Sequence, residues 1–335
     1  MKPDPFLLHG LLFSTADTHG SRAALTHGPQ TLTYAALAEQ TQYVAAALVR
    51  LGLERSARVG IYLEKRVEMV QGCFGAAAAG GVFVPINPIL KPDQVAYILQ
   101  DCNVRVLVTS TERLALLGDS IAQCANLRHV IAVGSGPLAS LPSVEVHSWS
   151  ALVVHGIGNV HRVIDTDMVA ILYTSGSTGK PKGVVLSHRN MVAGARSVAQ
   201  YLENTADDSL VAALPLSFDA GFSQLTTAFS VVNTMVKERI TGITAVPPLY
   251  IQMSQLEWPA TITEHLRYFA NTGGRMPFET LRRLRTLLPK SKPYLMYGLT
   301  EAFRSTYLPP EEVDRRPDSI GKAIPNAEIL VLRED

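Results

Sequence analysis

The sequence predicts an α/β protein built on doubly wound, mostly parallel sheets. Two observations carry that class. Over the first 150 residues, β-rich runs alternate with helix-length segments, the order expected of parallel strands covered by helices. The run Met168–Tyr173 (Met-Val-Ala-Ile-Leu-Tyr) is continuously apolar, as expected of a buried strand. Length and composition agree. The 335 residues, 47% apolar and 18% charged, suffice for about two domains with a sizeable core. No repeat, coiled coil or low-complexity segment interrupts them.

The elements follow in order. Leu32-Thr33-Tyr34 leads into a helix from about Ala35 to Leu51, with apolar residues at helical spacing. Ala57–Leu63 is a strand, and Val67–Ala79 an Ala-rich buried helix ended by Gly80-Gly81. The strand Gly81–Pro85 follows. Met69 to Leu90 carries no charge and is long enough to raise a membrane span. Two adjacent glycines, Pro85 and Pro88 would break a spanning helix, so no span is expected. Lys91–Asp101 reads as helix, Val104–Thr109 and Leu127–Val133 as strands, and Leu138–Val154 as a loop with one strand. Val184-Val185-Leu186 is again a strand. Ser187 suits the N-cap of a helix running to about Tyr201, which favours a structural role for His188. Leu266–Ala270 and Pro293–Tyr297 are strand-like. Arg282-Arg283-Leu284-Arg285 is the solvated face of a helix, and Ile329–Leu332 a last strand.

The formal net charge of +1 gives no global field for nucleic acid or a membrane surface. Cys73, Cys102 and Cys124 lie far apart without C-x-x-C spacing. That fits a reducing compartment and neither a disulfide framework nor a cysteine zinc site. Met-Lys-Pro-Asp-Pro-Phe is a poor start for a signal peptide, so a cytoplasmic location is expected.

The stretch Tyr173–Val184 concentrates the chemistry. It holds the hydroxyls of Thr174, Ser175, Ser177 and Thr178, the glycines 176, 179 and 183, and the ammonium groups of Lys180 and Lys182. Glycines let a backbone approach an anion, and exposed N–H groups, hydroxyls and lysines bind its oxygens. The loop reads as a polyphosphate cradle. It is not a P-loop of the form G-x-x-x-x-G-K-S/T: Thr174 stands at the first glycine position, Pro181 at the hydroxyl position, and a strand follows where a P-loop opens a helix.

The run resembles the phosphate-binding signature of the AMP-forming adenylating enzymes: acyl-CoA synthetases, amino-acid adenylation domains and luciferases. Within that superfamily the chain is most similar to the acyl-CoA ligases associated with the exosortase A system. The resemblance implies ATP and Mg²⁺ as cofactors, a small-molecule carboxylic acid or amino acid as substrate, and CoA or a carrier-protein phosphopantetheine as acyl acceptor. It implies that Thr174, Ser175, Gly176, Ser177, Thr178, Gly179 and Lys180 hold the nucleotide's phosphates and that Lys182 is catalytic. The run Ser187-His188-Arg189-Asn190 is similar to one the family carries there.

Three further segments bear on the reading. Tyr297-Gly298-Leu299-Thr300-Glu301 sets a hydroxyl beside a carboxylate after a Gly turn, which suits an α-phosphate contact next to a Mg²⁺ ligand. By resemblance Thr300 contacts the α-phosphate, Glu301 and Thr174 serve the metal, and Tyr297 with Gly298 lies at the adenine. The lesser alternative, compatible with that function, is Thr300 as a helix N-cap with Glu301 in its first turn. Asn271-Thr272-Gly273-Gly274-Arg275 follows a strand, where paired glycines permit approach of a flat ligand; an ordinary turn is the alternative. By resemblance Gly273, Gly274 and Arg275 line the adenine and substrate pocket. In Pro215–Phe222, the Phe218-Asp219 pair looks like the amino-acid-activating branch, where the aspartate pairs with an α-ammonium. A helix-capping aspartate accounts for it equally. Phe222 and Pro248 are candidate walls of the acyl pocket, or core.

The resemblance covers nearly the whole chain but only the larger N-terminal part of the family architecture. Residues 1–320 are expected to be the AMP-binding domain, in two α/β subdomains of about 1–165 and 166–320, and 321–335 the start of a truncated β-rich subdomain. The family's ribose-binding aspartate, hinge and C-terminal domain with its catalytic lysine have no counterpart in the sequence, and the segment Phe229–Glu238 reads as shortened. The expected function is therefore an AMP-forming acid–thiol ligase with weak or absent turnover. An amino-acid-adenylating enzyme that loads a carrier protein, or a catalytically silent nucleotide-binding module, is the alternative.

Overall fold

The structure, a computed structural model, describes residues 5–154, 156, 158–174, 180–230, 239–258 and 260–332. The chain divides into two compact units. The first gathers Met1–Ser21, Leu32–Arg189 and Pro215–Phe218; the second gathers Arg22–Thr31, Asn190–Leu214 and Asp219–Asp335. Among the described residues no helix is long and apolar enough to cross a membrane.

The chain opens with helix α1 (Leu8–His19) and a small two-stranded sheet, β1 (Ala23–His27) and β2 (Gln30–Thr33). Then come α2 (Tyr34–Arg50), β3 (Arg58–Tyr62), α3 (Val67–Ala79), β4 (Val82–Pro85), α4 (Pro92–Asp101), β5 (Val104–Ser110) and α5 (Thr111–Leu117). The first unit is completed by β6 (His129–Val133), β7 (Glu145–Ser148), the single turn α6 (Trp149–Leu152), β8 (Met168–Thr174) and β9 (Lys182–Ser187). Seven strands form one sheet in the order β7-β6-β5-β3-β4-β8-β9. All its pairings are parallel except β8 with β9. The inner strands are buried on both faces, which is why they read as unbroken apolar runs.

Helix α3 is buried on nearly every side because its face is made of Ala, Gly, Val and Met. It stops at Gly80, whose φ of +85° suits glycine and whose missing Cβ would lie 2.6 Å from Cβ of His161. Thr33 caps α2 by accepting from the Ala36 N–H at 3.2 Å. The three cysteines are buried free thiols, and burial pushes Cys102 up to about 11 and Cys73 higher still, so none is a reactive nucleophile.

The second unit takes in most of α7 (His188–Tyr201), then β10 (Leu210–Val211), α8 (Asp219–Ser230), β11 (Gly242–Ala245), α9 (Pro247–Met253), α10 (Ala260–His265), β12 (Tyr268–Asn271), α11 (Phe278–Leu287), β13 (Lys292–Tyr297), β14 (Thr306–Leu308) and β15 (Lys322–Ala323). Its six-stranded sheet runs in numerical order from β10 to β15. The first four strands are parallel, and β14 runs antiparallel between β13 and β15. A buried carboxylate ties the amino ends of the parallel strands. Asp208 accepts from Arg267 Nη2 at 2.7 Å and Nε at 3.0 Å, from the Thr241 hydroxyl at 2.6 Å and from the Thr205 N–H at 2.8 Å. Burial raises its pKa, but these hydrogen bonds outweigh burial and hold it below the usual carboxylate range.

Two sequence expectations change. Helix α1 and the two-stranded β1–β2 sheet arise where only the lead-in Leu32-Thr33-Tyr34 to α2 was expected. The one strand expected in Leu138–Val154 is β7, followed by the turn α6. Ile329–Leu332 is not a strand: it has no ladder partner among the described residues, and its side chains are exposed. The segment that reads as shortened lies mostly at 231–238, outside the described residues.

His188 is structural. Its Nδ1 accepts the N–H of Leu8 at 3.0 Å, which satisfies a donor at the start of α1, and its ring meets His9 edge-on at 5.6 Å. Burial pushes His188 down to about 4 against the opposing pull of Asp167 and Asp165. Burial and repulsion from His188 push His9 down to about 4 as well. Both are neutral when folded, while an unfolded histidine titrates near 6.5, so the unfolded chain binds more protons between those values. Stability is therefore full above about pH 6.5 and falls towards pH 4, by roughly 1.4 kcal/mol per pH unit for each ring. In urea unfolding over this window, His188→Gln should shallow the slope by about one proton; an unchanged slope would refute the assignment.

Candidate functional site

Strands β8 and β9 frame the glycine- and hydroxyl-rich loop. They pair antiparallel from Met168↔Ser187 to Thr174↔Lys182, so the loop joins two strands, unlike a P-loop. Ser175, Gly176, Ser177, Thr178 and Gly179 lie outside the described residues. Thr174 closes β8 half-buried, and Lys182 opens β9 exposed. Helix α4 flanks the hairpin. The Tyr97 hydroxyl donates to the Pro181 carbonyl at 3.3 Å, and Nζ of exposed Lys180 stands 5.8 Å from the centre of its ring. Tyr173 donates to Asp101 at 2.5 Å; burial first, and then that bond, raise its pKa, so it stays a neutral donor. These groups belong to the first unit.

The second unit carries an open cleft of about 440 Å³ beyond the carboxyl ends of β12 and β13. It brings together Gly273, Gly274, Arg275, Tyr297 and Gly298, five residues from two segments of the sequence that register places side by side. The position matches the rule that open α/β sheets bind ligands at strand carboxyl ends. Asn271 Nδ2 donates to the Gly274 carbonyl at 2.7 Å and fixes the glycine turn, in which Gly273 has φ +72°. The Asn271 Oδ1 is buried with no hydrogen-bond partner, an acceptor left over at the cleft wall. Pro317, Asp318, Ser319 and Ile320 form a further wall, and Asp318 forms an exposed ion pair with Arg275. Sequence reasoning missed this wall; only the Pro317-to-Gly321 spacing of a turn marked it.

Thr300 and Glu301 sit in the turn that joins antiparallel β13 and β14, so the helix-cap alternative falls away. The Phe303 N–H donates to the Thr300 carbonyl at 3.2 Å, and the Ser305 N–H to the Tyr297 carbonyl at 3.2 Å. Gly298 is needed here because a Cβ would stand 3.0 Å from the Arg304 Cα. Thr300 is half-buried and Glu301 exposed; Leu299 separates them from the cleft residues Tyr297 and Gly298.

Asp219 is the first residue of α8, and its Oδ2 accepts from Arg304 Nη1 at 3.0 Å. The Arg304 side chain is only 3% exposed and that of Asp219 18%. Arg304 Nη1 also donates to the Phe303 carbonyl at 2.8 Å. A separation of 85 residues hid this pair from the sequence. Phe222 is fully buried, Pro248 is exposed in the first turn of α9, and Phe218 is exposed and belongs to the first unit.

Comparison with known proteins adds context. Residues 12–335 match the AMP-binding enzyme family. The chain is 32% identical over 350 residues to an L-proline--[L-prolyl-carrier protein] ligase of Streptomyces coelicolor, covering 95% of this chain and 64% of that protein. It is 27% identical over 372 residues to 4-coumarate-CoA ligase 1 of Narcissus pseudonarcissus, covering 98% and 64%. The structure of VinN with 3-methylaspartate superposes with a TM-score of 0.82 at 25% identity, covering 97% of this chain and 87% of that one. The chain thus spans less than two thirds of the length of the two ligases.

The Asp219–Arg304 pair yields a stability prediction. Arg304→Leu leaves a poorly solvated carboxylate without its partner and should cost roughly 3 kcal/mol. Asp219→Asn in the same chain should recover part of the loss. Urea unfolding of both variants checks this, and two additive losses would count against a coupled pair.

Proposed function

We propose, from the premise that the chain belongs to the AMP-binding enzyme family, that it is the nucleotide-binding part of an AMP-forming acid–thiol ligase. The observation that carries this is the cleft that gathers Gly273, Gly274, Arg275, Tyr297 and Gly298 at the ends of two parallel strands. Its volume falls within the range of roughly 300–1,000 Å³ usual for small-molecule sites. The unpaired Asn271 acceptor and the flat glycine turn suit a base with an exocyclic amine.

In this reading a carboxylate oxygen attacks the α-phosphorus of ATP, the bond to the β-phosphoryl group breaks, and pyrophosphate leaves. A thiol then attacks the acyl carbon, releasing AMP and giving up its proton. The hydroxyls and lysines of residues 174–182 hold the phosphates that become pyrophosphate, and Lys182 meets charge developing there. Tyr297 and Gly298 position the adenosine, and Thr300 donates to the α-phosphate. Bound Mg²⁺ would supply charge neutralisation at the phosphate oxygens; the Glu301 carboxylate and Thr174 hydroxyl are oxygen donors of the type it takes. A reaction fed by ATP and a free thiol belongs in the cytoplasm.

The finer reading remains an acyl-CoA ligase of the kind associated with the exosortase A system. A second reading, an amino-acid-activating enzyme that loads a carrier protein, is favoured by Phe218-Asp219, by the prolyl-carrier ligase and by the VinN complex with 3-methylaspartate. Arg304 keeps the Asp219 carboxylate oriented in either case.

Carboxylate-dependent ATP–pyrophosphate exchange, screened over fatty, aromatic and amino acids, tests the proposal. AMP and pyrophosphate are the expected products, and ADP would overturn it. Mg·ATP binding without exchange for any acid would favour a silent nucleotide-binding module. Thr178→Ala with Lys182→Ala should weaken Mg·ATP binding at least roughly tenfold, the loss of one or two charge-assisted bonds. Unchanged affinity would remove the loop from the phosphate site. Asp219→Ala should impair exchange with amino acids far more than with plain fatty acids, and equal loss would remove the amino-acid reading.

A further inference from the structure

The first unit carries a second constellation, at the edge of its sheet opposite the phosphate loop. The loop leaves the carboxyl end of β8, whereas His129 and Glu145 open β6 and β7 at their amino ends. The two strands are parallel, with His129 opposite Glu145 and Ile131 opposite His147. His129, Glu145 and His147 therefore share one face of the sheet, since side chains two residues apart point the same way.

Their donor atoms form a nearly equilateral triangle. His129 Nδ1 lies 3.3 Å from His147 Nε2 and 3.5 Å from Glu145 Oε2, and His147 Nε2 lies 3.6 Å from the same oxygen. Tetrahedral zinc, with bonds of about 2.0–2.1 Å, holds neighbouring donors about 3.3–3.4 Å apart. An ion can sit over this triangle with little movement of the rings, and a fourth position stays open to water. The two imidazoles are mostly buried and the carboxylate is exposed, so the site has two preset ligands and one on its solvent side.

We propose that His129, Glu145 and His147 bind a divalent transition-metal ion of the zinc type and pin edge strand β7 to β6. Two imidazoles and a carboxylate suit Zn²⁺, Co²⁺, Ni²⁺ or Cu²⁺. Mg²⁺ prefers octahedral oxygen ligands, so this site does not compete with a nucleotide-bound Mg²⁺. β7 is the outer strand of the sheet, reached through a long loop, and a metal bridge gives it a second attachment beyond one ladder of backbone bonds.

The experiment is titration of the whole, metal-stripped protein with Zn²⁺ against a chromophoric chelator, and with Co²⁺ followed by visible absorption. One equivalent should bind, and Co²⁺ should show the intense bands of four-coordinate geometry. His147→Gln and His129→Gln should each weaken Zn²⁺ binding at least roughly tenfold, a loss seen even when only an outer hydrogen-bond partner of a ligand is removed. Zn²⁺ should raise the thermal midpoint of the wild type and leave that of His147→Gln unmoved. Failure of the wild type to take up either ion, or equal Zn²⁺ affinity in folded wild type and His147→Gln, would overturn the proposal.

Discussion

Burial of both faces of a parallel sheet confines polar chemistry to the ends of its strands. In the first unit Val59, Ile61, Val84, Val106, Leu107 and Val108 leave no accessible polar side chain in the sheet's centre. In the second unit Ala245, Phe269 and Ala270 do the same. Away from the open edge of the sheet, what the protein can present to a ligand must come from the loops that leave those strands. The glycine- and hydroxyl-rich loop leaves β8, and the open cleft lies beyond β12 and β13.

The same burial decides how charge is handled. Asp208 is tolerated inside the second unit because Arg267, Thr241 and the Thr205 N–H together satisfy it. Asp219 and Arg304 likewise compensate one another where α8 begins. Such pairs contribute little net stability, because desolvation offsets their attraction, but removing one partner leaves a costly charge behind. Their value here is positional. The first pair ties three parallel strands at their amino ends, and the second holds the residue after the β13–β14 turn against the start of α8.

Close backbone approach does for the turns what ion pairs do for the strands. Gly298 lets the chain reverse beside Arg304, so that Tyr297 faces the cleft and Thr300 and Glu301 follow in the turn. Gly273 supplies the positive φ of the facing turn, and Asn271 fixes it through the Gly274 carbonyl. The chain belongs to the AMP-binding enzyme family, and its fold is like that of VinN.

The sequence by itself determined the α/β class, the alternation of helix and parallel strand and the strand–loop–strand character of the hydroxyl-rich loop. Each is local: hydrophobic period, glycine and proline punctuation and capping chemistry act over a few residues. Only the tertiary structure decided what distant segments do to one another. The Asp219–Arg304 pair, the Pro317–Ile320 wall and the His129–Glu145–His147 triangle depend on strand register and chain reversal, which no window of sequence contains. Ile329–Leu332 shows the converse limit. Four apolar residues favour a strand, but a strand exists only where a neighbouring backbone offers hydrogen bonds, and among the described residues none does.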